Sequence, residues 1–349
     1  MLFLLGGYFE TFYGPFRLLE SHFFLAGTSL VVSWLATWLI LPRWLGKLPR
    51  DRGREYAVGG EASVGKPTGA GVIFILIFAA VCFLVTPLEF PYVGVYVCIM
   101  LSMLAGFLDD RSRDSWGEYA KGTIDLIMSV AASMLISQFS PVEIWFPVTK
   151  TTLVVPPIIM IPAAAMIIWV TINATNCTDG VDGLSGALSI LALLSLGGLL
   201  YFVLGHDEVS GYLLLPHYTD GAKWAIMAFA MVGCLCGYLW YNAHPSIALM
   251  GDAGSRAIGL LMGVLVIKTG NPFLLFIVSG VLLVNGGTGL IKVGLLRFFK
   301  VSTFKNVRFP LHDHVRHRAG WSNTQVLVRF ALLQIMVTLV FIVAIIKLR

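Results

Sequence analysis

The feature that most constrains this sequence is a succession of apolar runs, each long enough to cross a bilayer or nearly so and separated by clusters of charge. They fall at 23–42, 68–87, 91–108, 122–138, 153–171, 185–204, 223–241, 256–268, 272–296 and 327–346. A helix of about 20 apolar residues spans a hydrocarbon layer of about 30 Å with its backbone hydrogen bonds closed inside the segment. The eighth run is short, but the pattern as a whole predicts an all-α polytopic membrane protein of about ten transmembrane helices. Composition agrees, because 57% of the residues are apolar and 12% are charged, where a soluble domain carries about 25% charge. Alternating ten-residue segments, the mark of an outer-membrane barrel, are absent. A single integral membrane domain is expected over 1–349, with residues 1–22 as an interfacial segment rather than a secretory signal, since Glu10 interrupts the region that should be apolar. The cysteines show no zinc spacing and read as small buried hydrophobes.

Lys and Arg divide the connections into two sets. The loops 43–67, 109–121, 172–184, 242–256 and 297–326 together hold 16 of the 24 basic residues; the opposite connections and both termini hold 6. The richer face is expected to be cytoplasmic, with both termini outside. This asymmetry, together with anionic headgroups in the bilayer, accounts for the net charge of +5, so nucleic acid is not an expected partner.

Acidic residues follow a pattern of their own. The loops of the basic face contain Asp109 and Asp110 beside Arg111, then Asn176-Cys177-Thr178-Asp179-Gly180-Val181-Asp182-Gly183, then Met250-Gly251-Asp252-Ala253-Gly254-Ser255. Each group stands where an apolar run meets water, so the side chains are able to converge. Carboxylates gathered in this way suit phosphoryl transfer with Mg²⁺, which is held by one or two carboxylates plus substrate phosphates. Neighbouring aspartates on a helix diverge by about 100°, so Asp109 and Asp110 are expected to play different parts. A solvated helix terminus explains that pair alone; it does not explain three acidic groups on one face.

Basic and small residues add to this picture. Lys66 lies in Gly65-Lys66-Pro67-Thr68-Gly69-Ala70-Gly71, a turn that suits either phosphate at a helix N-terminus or close helix contact. Lys121 either snorkels to the interface or neutralises a phosphate. The segment Phe309-Pro310-Leu311-His312-Asp313-His314-Val315-Arg316-His317-Arg318 offers many donors for a diphosphate; a metal site or a lipid-facing basic flank are the other readings. His22, His206, His217 and His244 read as interfacial or structural. Asp125 and Lys292, charges inside apolar runs, mark either a substrate route or a structural pair.

With these residues in view, the sequence resembles the polyprenyl-phosphate N-acetylhexosamine-1-phosphate transferase superfamily, and within it the phospho-N-acetylmuramoyl-pentapeptide transferase family. The likeness runs from about residue 60 to the C-terminus through Lys66–Gly71, Asp109-Asp110, Lys121, Asn176–Leu184, Trp240-Tyr241-Asn242, Met250–Ser255 and the histidine segment. It implies ten spans and Mg²⁺-dependent transfer of phospho-MurNAc-pentapeptide from UDP-MurNAc-pentapeptide to undecaprenyl phosphate, giving lipid I and UMP. It further implies Asp109 as base or nucleophile with Asp110 beside it, and Asp252 as the Mg²⁺ ligand with Asp109 and Asp110 in the metal region. Lys121 would meet phosphate, and Lys66 and Thr68 would lie on the substrate side. Asn176, Asp179, Asp182 and Asn242 would hold the uridine and metal region, and His312 and His314 would serve catalysis. Asp313 stands where the family has a middle histidine and would lie on the substrate side as well. Nucleoside antibiotics that mimic the UDP-sugar and a homodimeric partner are implied as well. A UDP-GlcNAc transferase of the same superfamily and, more remotely, a secondary transporter are the competing readings.

Overall fold

The computed structural model describes residue 2 and residues 13–53, 58, 60–112, 114–146, 149, 151–302 and 304–347. Half of the expected 1–22 segment lies outside the described residues, as do Arg54, Arg113, Lys150 and Arg349.

The chain is a helical bundle. In order it forms α1 (His22–Trp44), α2 (Gly71–Val85), α3 (Phe90–Arg111) and α4 (Glu118–Ser137). A hairpin of β1 (Val142–Phe146) and β2 (Thr151–Val155) follows, then α5 (Pro157–Thr178), α6 (Leu184–Gly198), α7 (Asp207–Tyr212) and α8 (Gly221–Asn242). The last elements are α9 (Gly251–Lys268), α10 (Leu274–Val278), α11 (Gly280–Phe299), α12 (Leu311–Ala319) and α13 (Asn323–Lys347). Among the described residues eight helices are long and apolar enough to cross a membrane. Of the other expected spans, α2 has 15 residues, and α9 carries Asp252, Arg256 and Lys268 along 18 residues.

Helix α9 is the hub. It packs on α2, α3, α5 and α6, and from Ala253 to Ile267 every residue is buried. Such close approach needs small residues, because dispersion contacts hold apolar helices together once water is gone. A Cβ at Gly71 would run into the backbone of Gly254, and one at Gly106 into that of Asp252. Gly259 and Gly263 give α5 the same access, with Ile172 and Ile168 against them.

Several expected boundaries shift. Residues 172–178 continue α5 instead of forming a loop, and within them Thr175 and Thr178 satisfy their hydroxyls on the carbonyls of Thr171 (2.7 Å) and Ala174 (2.8 Å). The β-branched residues 151–155 pair as a strand with 142–146 rather than opening a helix. The run 272–296 is interrupted at Ser279, where Gln334 of α13 takes the free Val281 N–H (2.9 Å) and gives its own N–H to the Ile277 carbonyl (2.8 Å). A break inside an apolar helix requires such substitute partners. The histidine segment is itself helical and ends at Gly320, whose φ of +65° closes the last turn.

Candidate active site

Helix α3 ends in Asp109 and Asp110, and helix α9 begins beside them. The first amides of a helix have no partner within it; here Asp110 supplies one from outside, accepting from the N–H groups of Asp252 (3.0 Å) and Ala253 (3.1 Å). Gly251, at φ +68°, is required at this junction, since a Cβ would collide with the Asp110 carboxylate. Asp110 therefore fixes where Asp252 starts.

Asp109 points elsewhere, as its neighbour's helical angle demands. It accepts the Trp116 N–H (2.7 Å) and pairs with the Lys121 ammonium of α4. The same ammonium lies 3.3 Å from Asp252 Oδ2. Asp252 also receives Asn176 Nδ2 (2.8 Å) and Arg256 Nη2 (3.1 Å). One cation thus stands between carboxylates from two helices, and the floor of the site is a position built for positive charge. Among the described residues no three His, Cys, Asp or Glu are grouped to hold a metal by themselves, so a metal at Asp109 and Asp252 would take its remaining ligands from substrate or water.

A second cluster forms the wall. Asp182 accepts from Ser246 Oγ (2.7 Å), and its other oxygen lies 2.8 Å from His244 Nδ1. Lys66 Nζ donates to Ser246 Oγ (3.0 Å). Burial works against the Asp182 charge, but the hydrogen bonds from Ser246 and His244 outweigh it and hold the carboxyl below its usual range. Buried Asn242 clasps the two loops, accepting the Gly183 N–H (2.9 Å) and donating to the Ala248 carbonyl (2.8 Å).

Both clusters open into one cleft of about 500 Å³. Its lining draws on all five of the loops grouped by their basic residues: Arg50, Arg52 and Lys66, with Thr68 just beyond; Asp109 and Asp110; Asp179 and Asp182; His244, Ser246 and Asp252; and Arg316. Lys121 and Asn176 stand behind Asp252 rather than in the lining. The histidine helix behaves differently from a cluster of cleft donors. His312 is buried, its N–H given to Asn285 Oδ1 (2.8 Å), and His314 Nδ1 accepts the Arg308 N–H (3.2 Å). Asp313 receives the Val58 N–H and Arg316 Nη1, each at 3.4 Å. Of this segment only Arg316 lines the cleft. His244, read from sequence as structural, is a cleft residue bonded to Asp182; its place six residues before Met250 was the available signal. Lys292 has a plain structural partner, the Val307 carbonyl at 2.9 Å.

Comparison with known proteins agrees with this geometry. The family described as Glycosyl transferase family 4 matches residues 92–270. A phospho-N-acetylmuramoyl-pentapeptide-transferase of Treponema pallidum subsp. pallidum is 48% identical over 98% of this chain and 95% of its own length. Proteins of the same name from Campylobacter lari (31% identical, 83% of each chain) and Helicobacter hepaticus (29%, 91% of this chain and 93% of the relative) are also similar. With a family match from α3 through α9 and a relative at 48% identity over nearly its whole length, this chain belongs to glycosyl transferase family 4, in the phospho-N-acetylmuramoyl-pentapeptide-transferase family.

Proposed function

We propose that this protein transfers phospho-MurNAc-pentapeptide from UDP-MurNAc-pentapeptide to undecaprenyl phosphate, giving lipid I and UMP. The observation that carries this reading is the Asp109–Lys121–Asp252 arrangement at the floor of a cleft whose wall bears Lys66, Arg50 and Arg52. An oxygen of the acceptor phosphate attacks the sugar-bearing phosphorus of the donor; the bond from that phosphorus to the bridging oxygen breaks, and UMP leaves with the electron pair. Asp109 is positioned to take the proton of a monoprotonated acceptor phosphate, and Asp110 keeps the start of α9 in place through its two amide contacts. Lys121, on a flexible stem, neutralises a phosphate oxygen; Asp179 and Asp182, which line the cleft, hold the uridine part of the donor in this reading. Mg²⁺, held by Asp252 and Asp109, would supply charge neutralisation at the diphosphate.

In the same reading α2 and α9 join the eight longer helices to make ten crossings. The cleft faces the cytoplasm and both termini lie outside, as the placement of Lys and Arg suggests. Nucleoside analogues of the UDP-sugar compete in this cleft, and the protein assembles as a homodimer. The acids stand at helix ends and not at the bilayer midplane, which disfavours a transporter. Purified protein incubated with undecaprenyl phosphate, Mg²⁺ and either UDP-MurNAc-pentapeptide or UDP-GlcNAc tests the proposal. UMP release from the muramoyl donor is expected; release from UDP-GlcNAc alone, or from neither, rejects it.

A further inference from the structure

Behind the cleft floor the charges continue into the bundle. Arg256 sits one turn beyond Asp252 on α9, and Asp125 one turn beyond Lys121 on α4. Arg256 Nη2 meets Asp252 Oδ2 at 3.1 Å, and Nη1 meets Asp125 Oδ1 at 3.0 Å. The side chains of Arg256 and Asp125 are 4% and 3% exposed, and Arg256 Nε is buried with no hydrogen-bond partner among the described residues. Asp109, Lys121, Asp252, Arg256 and Asp125 therefore form a chain of alternating sign running inward from the cleft. Buried ion pairs of this kind add little stability, because desolvation offsets their attraction. An arginine with an unsatisfied donor in an apolar bundle is an expensive way to join α4 and α9.

The sign of the chain gives it a use. Without Asp125, Lys121 and Arg256 would balance Asp109 and Asp252, leaving no net charge for a divalent cation. With Asp125, the guanidinium is shared and the chain keeps one negative charge. Asp110 lies against the same groups, but its carboxylate accepts two amides at the positive start of α9, and its charge is not part of what Asp125 changes.

We infer that Asp125 is a positioning residue for the reaction: by holding Arg256, it preserves the negative charge and the orientation with which Asp252 binds a divalent cation. This rests on Asp252 being a ligand of that cation, as proposed above. The test is Mn²⁺ binding to the purified full-length protein, read by the loss of the free-ion electron paramagnetic resonance signal, with thermal melting as the check on folding. Asp252→Asn should abolish binding. Asp125→Asn should weaken it by about tenfold or more, because the Arg256 charge that stands between Asp125 and Asp252 is then left unbalanced. The double variant Asp125→Asn/Arg256→Gln removes both charges and should return binding to within about threefold of the parent, since the net charge is restored. If Asp125 merely joined helices, the double variant, which lacks both ion pairs, would be no better than the single one, and that result overturns the inference. Parent-like binding by Asp125→Asn overturns it too. Should Asp125→Asn not fold, Asp125→Ser makes the same charge change while leaving room for a water beside Nη1. No Mn²⁺ binding by the parent, or undiminished binding by Asp252→Asn, removes the Asp252 reading and this inference with it; loss in Asp252→Asn without loss in Asp125→Asn removes the inference alone.

Discussion

The two ends of α9 use charge in opposite ways. At its start, Asp252 is approached by Lys121, Arg256 and Asn176, and the carboxylates still line an open cleft. At its end, Lys268 pairs with Asp220 (3.0 Å) and lies over the Trp224 ring, while Trp145 of the hairpin donates to the Thr269 carbonyl (2.7 Å). The far end is a fastening, in which the Lys268 ammonium, the Asp220 carboxylate, the Trp145 indole N–H and the Thr269 carbonyl each have a partner. The near end gathers acids from separate helices around shared cations, an arrangement that gains nothing for stability over an apolar seam and makes sense as a place for substrate.

If the comparison is sound, damage to the two ends should separate stability from turnover. The largest effect is expected at the far end: Trp145→Ala, emptying a buried site, should lower stability by about 3 kcal/mol or more while turnover per folded molecule stays near that of the parent. Melting curves beside UMP release check both halves, and a matching loss of turnover would break the contrast. At the near end Asp252→Asn should lower turnover by about 10²-fold, or about 2.7 kcal/mol of transition-state stabilisation, with melting little changed. Gly106→Ala probes the joint between α3 and α9. Its new methyl meets the Asp252 backbone, so overpacking of about 1–3 kcal/mol should appear in melting and carry a loss of turnover with it.

The smallest effect concerns the cleft wall. Asp182 titrates below its ordinary 3.8 in the folded protein, so its contribution to stability is complete above that ordinary value and disappears as pH falls through the lower folded one. Asp182→Asn should therefore cost about 1 kcal/mol at neutral pH and flatten the acid limb of a melting-temperature profile below about pH 4. An unchanged acid limb would show that Ser246 and His244 do not favour the charged carboxylate.

Much of this architecture was legible in the chain. The apolar runs located eight helices that satisfy the length of a bilayer, and the loops grouped by their Lys and Arg are the five that build the cleft. The separate parts of Asp109 and Asp110 followed from helical geometry. The interruption at Ser279 was not legible, because its substitute partner, Gln334, lies 55 residues further on in another helix. The hairpin was hidden by apolar β-branched residues that read equally as the start of a span. Arg256 looked like one more loop charge; only the contact with Asp125, 131 residues away, makes it part of the site.

By itself, then, the sequence determined that this is a helical membrane protein with most of its bases and its clustered aspartates on one face, because hydrophobic length and charge placement act locally along the chain. The tertiary structure decided which carboxylates share a cation, which one caps a helix, and which histidine reaches the cleft. Those outcomes depend on distances between helices far apart in sequence, set by glycines that let α2, α3 and α5 close against α9, and no local pattern carries such distances.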